Sequence, residues 1–237
     1  MPKPLGNTSS RTAALYQSYW TEQYQNAEAL WIHSGDSRQP HALLTSGMHS
    51  NGFFNSKLII ARDTLMHDAA TDLVDLLLSV YGVKIEMLNG IVGPQTGATK
   101  MAEYLSKEIA KVTGRGCFNA SPAKHEENGV KSMVFSPEEQ LLIPEQNVLL
   151  CEDVCTTGGS IGLTANAIAA CGGTTLPFVL VLVNRSGMSD IDGRKIIALI
   201  NEDMPIWNAN ECPLCKAGSN AIRPKETGNW ALLNATY

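Results

Sequence analysis

Residues 148–160 read Val-Leu-Leu-Cys-Glu-Asp-Val-Cys-Thr-Thr-Gly-Gly-Ser. Val148 to Cys151 is an apolar run of strand length, suited to burial on both faces. The run stops at two carboxylates, Glu152 and Asp153. Thr156, Thr157, Gly158, Gly159 and Ser160 come next, and a helical pattern extends from Ile161 to Ala170. A strand, a turn of small residues and a helix start leave backbone N–H groups free to surround an anion. The glycines permit close backbone approach, and the hydroxyls add donors.

The acidic pair narrows the ligand. Carboxylates beside a phosphate cradle repel the phosphate unless they face something else. A sugar diol, or Mg²⁺ shared with the phosphates, removes the conflict. The stretch therefore points to a phosphorylated sugar, held by its phosphate at the turn and by its hydroxyls at Glu152 and Asp153. Without such a ligand, the same residues make an ordinary strand–turn–helix with a solvated acidic corner. No Lys follows the glycines, which excludes a P-loop. The absence of Gly-x-Gly-x-x-Gly excludes a dinucleotide fingerprint.

A second strand–Gly turn–helix unit precedes the first. Ile85–Val92 reads as a strand, Gly93-Pro94-Gln95-Thr96-Gly97 as its turn, and Ala98 to Lys111 as a helix. Two anion-ready helix starts in one chain fit a substrate with phosphates at both ends. Upstream, an amphipathic helix runs from Ser9 or Ser10 to about Trp31, after a frayed tail over 1–8. Leu43–Thr45 and Phe53–Ile60 read as strands around a turn with two glycines. Phe53 and Phe54 point to opposite faces of their strand, so one can present a flat face to a planar ligand while the other packs inward; both can equally be core. Asp63–Val80 is helical. Residues 122–146 form a long polar loop suited to a lid, with Lys124, His125 and Lys131 available to a leaving group, and 130–135 can form a hairpin arm. Leu176–Val183 is an apolar strand ending in Asn184-Arg185. Arg185 can fork onto a carboxylate or stand as a surface Arg in a turn. Ile196–Ile200 is a last strand.

The 237 residues are 44% hydrophobic with net charge −5, which suits one α/β domain with a modest appendage. That charge offers nothing to nucleic acid or a membrane surface, so positive charge must be gathered locally to hold a polyphosphate. No apolar run reaches the length of a membrane span, the N-terminus lacks a signal-peptide core, and six scattered cysteines fit a reduced, cytoplasmic protein. Cys212-Pro-Leu-Cys215 alone reads as half a zinc knuckle or a redox pair. No second Cys/His pair lies nearby in the chain, so a metal site closed within one chain is not expected and no residue is assigned to a metal.

The 148–160 stretch resembles, at all thirteen positions, the phosphoribosyl-pyrophosphate motif of the type I phosphoribosyltransferases. Ser46-Gly47, Ser50 and Phe53-Phe54-Asn55 resemble a segment of the orotate phosphoribosyltransferases, with His49 standing where that family has a Lys. Cys212-Pro-Leu-Cys215 resembles the ending of a short bacterial branch. The resemblance implies an α/β fold: a central, mostly parallel sheet flanked by helices, with a small hood. It divides the chain into an N-terminal helical segment or hood (1–40), a core (41–205) and a tail packing on hood or core (206–237). It implies transfer of a 5-phosphoribosyl group from phosphoribosyl pyrophosphate to orotate, with Mg²⁺ carried mainly on the substrate's pyrophosphate. Its roles fall on Thr156, Thr157, Gly158, Gly159 and Ser160 for the 5′-phosphate, and on Glu152 and Asp153 for the ribose. Gly93, Pro94, Gln95, Thr96 and Gly97 take the pyrophosphate, Phe53 or Phe54 backs the base, and His49 stands where a Lys reaches the ligand. Arg185 takes the base's carboxylate, and Lys124, Lys131 and Asp153 are the catalytic groups. A homodimer is implied as well. Two alternatives stay open: the same chemistry on another base, and a non-catalytic sensor of phosphoribosyl pyrophosphate.

Overall fold

The structure, a computed structural model, describes residues 9–237; the tail expected over 1–8 lies outside them. Helix α1 (Ser9–Asn26) leads to strand β1 (Leu30–Ile32). Strands β2 (His41–Leu43), β3 (His49–Ser50) and β4 (Gly52–Phe54) follow, then helices α2 (Ser56–Ile60) and α3 (Asp63–Asp75), the latter continued by a π-helical turn over Leu76–Val80. Strand β5 (Gly90–Val92), helix α4 (Thr99–Thr113) and strand β6 (Phe118–Ala120) make one crossover unit. Strands β7 (Ala123–Glu127) and β8 (Val130–Val134) and helix α5 (Pro137–Gln140) separate it from β9 (Asn147–Cys155), α6 (Gly159–Ala170) and β10 (Thr174–Asn184). Strands β11 (Asp190–Ile191), β12 (Arg194–Asn201) and β13 (Ile206–Trp207), helix α7 (Pro213–Lys216), strand β14 (Ala221–Ile222) and helix α8 (Asn229–Leu233) complete the order.

The main sheet runs β11-β12-β10-β9-β5-β6, parallel except for the edge strand β11. Such a sheet is covered on both faces, and the alternation along β9 shows how. Leu149 and Cys151 join the core under α3 and α4, with Leu180, Leu182, Ile197 and Leu199 from neighbouring strands. Val148 and Leu150 join the opposite core, with Val179, Val181 and Ile161, Ala165 and Ile168 of α6. The helix starts that follow β5 and β9 therefore open at the same end of the sheet.

Four expectations change. Helix α1 packs on the sheet layer rather than in a hood: Trp20 and Tyr24 are fully buried, and Trp20 Nε1 donates to Asp72 Oδ2 at 3.0 Å. The strand read over Phe53–Ile60 stops at Phe54, and Ser56–Ile60 turns into helix, since a short apolar run suits either state. The strand read from Ile85 shortens to Gly90–Val92. Much of the 122–146 loop is an antiparallel β7–β8 hairpin, in register from Ala123↔Val134 to Glu127↔Val130. Its two-residue turn is Asn128-Gly129, with φ 51° and 77°, the left-handed pair such turns require.

The hood is a four-stranded sheet, β13-β3-β2-β14, to which residues 206–222 contribute both edges. Trp31, Ala42, Leu44 and Leu233 form its core. Among the described residues no helix is long and apolar enough to cross a membrane.

Trp20→Ala should lower the unfolding free energy by about 3–5 kcal/mol, read from a denaturant titration, because it empties a fully buried site between α1 and α3. A loss below about 1 kcal/mol would mean that α1 is not docked on the core.

Candidate active site

Parallel neighbours bring the two turns together. Strand β5 pairs with β9 in the register Val92↔Leu150, so the Gly93–Gly97 turn and the acidic tip of β9 end side by side. A Cβ on Gly97 would stand 2.8 Å from Asp153 Oδ1, and one on Gly93 would stand 2.7 Å from Cys151 Sγ. These glycines are thus required by close approach, apart from any need for backbone freedom. Gly158 caps α6 in the left-handed region, φ 75°, and the first turn of α6 directs its unpaired N–H groups into the same space.

That space is a cleft of about 570 Å³. Glu152, Asp153, Thr156, Thr157, Gly158 and Ser160 line its floor, Phe53, Phe54 and Arg185 one wall, and Lys124 and Lys131 of the hairpin the other. An adjoining cleft of about 420 Å³ is lined by Pro94, Gln95, Thr96 and Gly97, and it shares Lys124, Glu152, Asp153 and Ser160 with the first. Gly93 and Gly159 line neither; Gly93 supports its turn from beneath against Ala98 and Cys151.

Glu152 is buried, and burial followed by the adjacent Asp153 carboxylate pushes it well above the usual carboxylate range. Asp153 N–H donates to Glu152 Oε1 at 3.2 Å. Two crowded carboxylates are tolerable where hydroxyl donors or a cation come to meet them. Positive charge is gathered here in a chain of net charge −5. Besides Lys124 and Lys131, Lys57 lines the second cleft and Lys225 lines both, its Nζ 6.0 Å from the Phe53 ring centroid. Sequence reasoning assigned no role to Lys57 or Lys225. Lys57 lies three residues past Phe54, but the strand read there hid its place at the start of α2. Lys225 is brought in from the tail by β14, which no local pattern foretells. Lys100, in the first turn of α4, pairs instead with Asp63 at 2.6 Å.

Arg185 is the most constrained wall residue. It is 3% exposed. Its Nη1 donates to the Gly52 carbonyl at 3.0 Å and its Nη2 to Ser50 Oγ at 2.6 Å. Its Nε–H is buried without a partner. Burial alone brings its pKa down to about 10, which is the signature of a guanidinium held away from water without a compensating anion. Phe54 packs edge-on against Tyr24 at 5.4 Å, whereas Phe53 meets Trp230 at 5.9 Å and keeps a half-buried face to the cleft.

His49, expected at the substrate in place of a ligand-reaching Lys, is not in either lining. Ser50 turns toward Arg185, and strand alternation sends its neighbour His49 to the opposite face. There it lies 2.9 Å from His41 and 3.3 Å from Cys215. The second pair that Cys212-Pro-Leu-Cys215 lacked in the chain is supplied in space by the β2–β3 hairpin. Burial, then the neighbouring His49, holds His41 down to about 4.

The profile of the phosphoribosyl transferase domain matches residues 89–214, which includes both turns, both crossover helices and Arg185. An orotate phosphoribosyltransferase of Pelotomaculum thermopropionicum is 31% identical over 201 residues, spanning 83% of this chain and 94% of that protein. One of Acidithiobacillus ferrooxidans is 29% identical over 201 residues, spanning 84% and 95%. The crystal structure of orotate phosphoribosyltransferase from Aeropyrum pernix shares the fold, with a TM-score of 0.53 at 21% identity over 76% of this chain and 92% of that one. A domain match over more than half of the chain, on a sheet whose strand ends carry the expected pair of turns, means that this protein belongs to the type I phosphoribosyltransferase family.

Proposed function

We propose that the protein transfers the 5-phosphoribosyl group of phosphoribosyl pyrophosphate to orotate, giving orotidine 5′-monophosphate and pyrophosphate. One observation carries the choice of base. Arg185 is a buried guanidinium with an unpartnered Nε–H, in the wall of the cleft that Glu152 and Asp153 floor. A planar acceptor that brings its own carboxylate answers that guanidinium, and a neutral purine leaves it unanswered. The curated relatives named above, similar over most of their length, are orotate phosphoribosyltransferases.

In this reading Thr156 to Ser160 hold the 5′-phosphate, Glu152 and Asp153 accept from the ribose hydroxyls, and Gly93 to Gly97 cradle the pyrophosphate. The bond from the ribose anomeric carbon to the pyrophosphate oxygen breaks, and a ring nitrogen of orotate forms the new bond to that carbon. Positive charge develops on the sugar beside Asp153 and negative charge on the leaving group beside Lys124 and Lys131. Lys57 and Lys225 extend the same cationic rim. The β7–β8 hairpin excludes water from the reacting centre.

Mg²⁺ fits this cleft as an ion carried by the substrate. The one grouping of three or more metal-ligating side chains among the described residues lies outside the cleft, so phosphate and ribose oxygens would complete its shell beside Glu152 and Asp153. When bound it supplies further positive charge to the leaving group. We extend the reading to a homodimer, which light scattering of the purified protein would test, and to a cytoplasmic setting, which six unpaired cysteines suit.

Pyrophosphate release, assayed with Mg²⁺ and a panel of bases, should occur with orotate and not with adenine, guanine or hypoxanthine. Turnover on a purine would redirect the assignment, and ligand binding without turnover on any base would make the protein a sensor.

Arg185→Ala should raise the KM for orotate about a hundredfold, while the affinity for phosphoribosyl pyrophosphate changes by less than about threefold. Equal losses in both would remove Arg185 from base recognition. Lys124→Ala and Lys131→Ala should lower kcat by about tenfold to a hundredfold, with smaller effects on substrate affinity. An unchanged kcat in both would take the hairpin out of the chemistry.

Glu152 gives a paired stability test. Its folded pKa is raised, so the folded chain holds this proton where the unfolded chain has lost it. That contribution is present below the ordinary carboxylate range and fades as pH rises toward the folded value. Glu152→Gln, which cannot acquire the buried charge, should therefore gain about 1 kcal/mol of stability at mildly alkaline pH, with the gain shrinking on acidification. The same variant should bind phosphoribosyl pyrophosphate about tenfold more weakly or worse. Destabilisation at alkaline pH would contradict the burial argument.

A further inference from the structure

On the far side of the hood, four ligating side chains converge with no role in the cleft. His41 on β2, His49 on β3, and Cys212 and Cys215 flanking Pro213-Leu214 place one ligand atom each, all within 4.8 Å of one another. His41 Nε2 lies 2.9 Å from His49 Nδ1, 3.6 Å from Cys212 Sγ and 3.5 Å from Cys215 Sγ; His49 Nδ1 lies 3.3 Å from Cys215 Sγ. A zinc tetrahedron with ordinary Zn–N and Zn–S bonds has edges of about 3.3 Å (N to N), 3.5 Å (N to S) and 3.8 Å (S to S). The observed separations lie near those edges. Both cysteines are free.

Protons alone do not satisfy this cluster. Ser219 Oγ gives its hydrogen to the Gln39 carbonyl at 2.6 Å, so at 2.9 Å from His41 Nδ1 it acts as acceptor. His41 therefore carries its proton on Nδ1 and turns a lone pair on Nε2 inward. If His49 is protonated on Nδ1, that hydrogen and two thiols compete for one lone pair. If it is not, two lone pairs face each other at 2.9 Å. A single divalent ion answers all four atoms at once. The hydrogen bond from His41 Nδ1 to Ser219 is the kind of outer contact that fixes a metal-bound imidazole.

We propose that His41, His49, Cys212 and Cys215 bind one structural zinc ion. Four protein ligands close the shell, so the ion has no open position for chemistry. Its place in the fold says what it does. His41 and His49 sit on the inner two strands of the hood sheet, and the cysteines sit on the crossover between its two edges, β13 and β14. The ion ties residues 206–222 to the hairpin whose Ser50 accepts from Arg185, and it fixes the stretch leading to Lys225.

The test is metal content, which does not depend on the identity of the base. Protein purified without chelator from zinc-replete cells and passed through a desalting column should hold about one zinc per chain by mass spectrometry. Cobalt(II) added to the stripped wild-type protein should give thiolate-to-metal charge transfer and the visible bands of a tetrahedral S₂N₂ site, and zinc should displace it. The Cys212→Ser and Cys215→Ser double variant should lose both signals, and Ser219→Ala should give up zinc to a competing chelator about tenfold more readily or worse. Stripped protein should melt at a lower temperature, with zinc restoring the midpoint. Should the double variant not fold, the cobalt titration of the wild type decides alone. Folded wild type with less than about a tenth of an equivalent of metal and an octahedral or absent cobalt spectrum would overturn the proposal. So would full zinc occupancy in a folded double variant.

Discussion

Strand β9 lies between β5 and β10, and neither of its faces meets water before its tip. A strand in that position must be apolar for as long as helices cover it. The change from Leu-Leu-Cys to Glu-Asp therefore marks where the cover ends. The parallel register, in which β5 ends at Val92 opposite Leu150 while β9 runs on, brings the β5 turn alongside Glu152 and Asp153. The acidic tip, the two amide-rich turns and the tight Gly97–Asp153 approach are thus consequences of burying one strand. Glu152 and Asp153 sit at the end of β9 where its cover gives way to the cleft.

The hood adds what the sheet cannot supply. Arg185, at the end of β10, reaches across to Ser50 Oγ and the Gly52 carbonyl, so the two layers are joined by a residue that also lines the cleft. An arginine buried this deeply is costly without an anion, and its two hood contacts leave the Nε–H unanswered. Cohesion between the layers and, in the proposed function, recognition of the acceptor fall on one side chain. Phe53 and Lys225 complete the wall, one from the hairpin and one from the tail.

Much of this was legible before any coordinates. The thirteen residues 148–160 carry local signals that need no partner: an apolar run, a polar stop, small turn residues and a helix pattern. The second turn at Gly93–Gly97 and Arg185 at a strand end were legible for the same reason. What stayed hidden required distance. Ser56–Ile60 contains an apolar run that is short enough to suit strand or helix, and packing decided for helix. The place of α1 depended on a groove over α3 that its own sequence does not describe. The Asn128-Gly129 turn signal stood within a stretch read as loop because its flanking strands are mostly exposed and charged. His41, beside Cys212, lies 171 residues away on β2, beyond the reach of any spacing rule. His49 misled because its place along the chain matches a ligand-facing position while its strand face does not.

The hood sheet is also built from segments made at very different times. Residues 41–54 leave the ribosome early, yet their edges are covered by β13 and β14, and Trp31 Nε1 and Gln39 Nε2 both wait for the Leu233 carbonyl, at 2.7 and 2.8 Å. At ordinary translation speeds that wait lasts roughly ten to forty seconds. Only toward the end of that interval, once β12 at Arg194–Asn201 is made, does the nascent polypeptide hold the whole main sheet, and the hood then still has raw strand edges and an uncovered tryptophan. Assembly of the hood is thereby deferred until residues 206–233 have been made, and a chain released before them would carry the main sheet without the strands that edge β2 and β3.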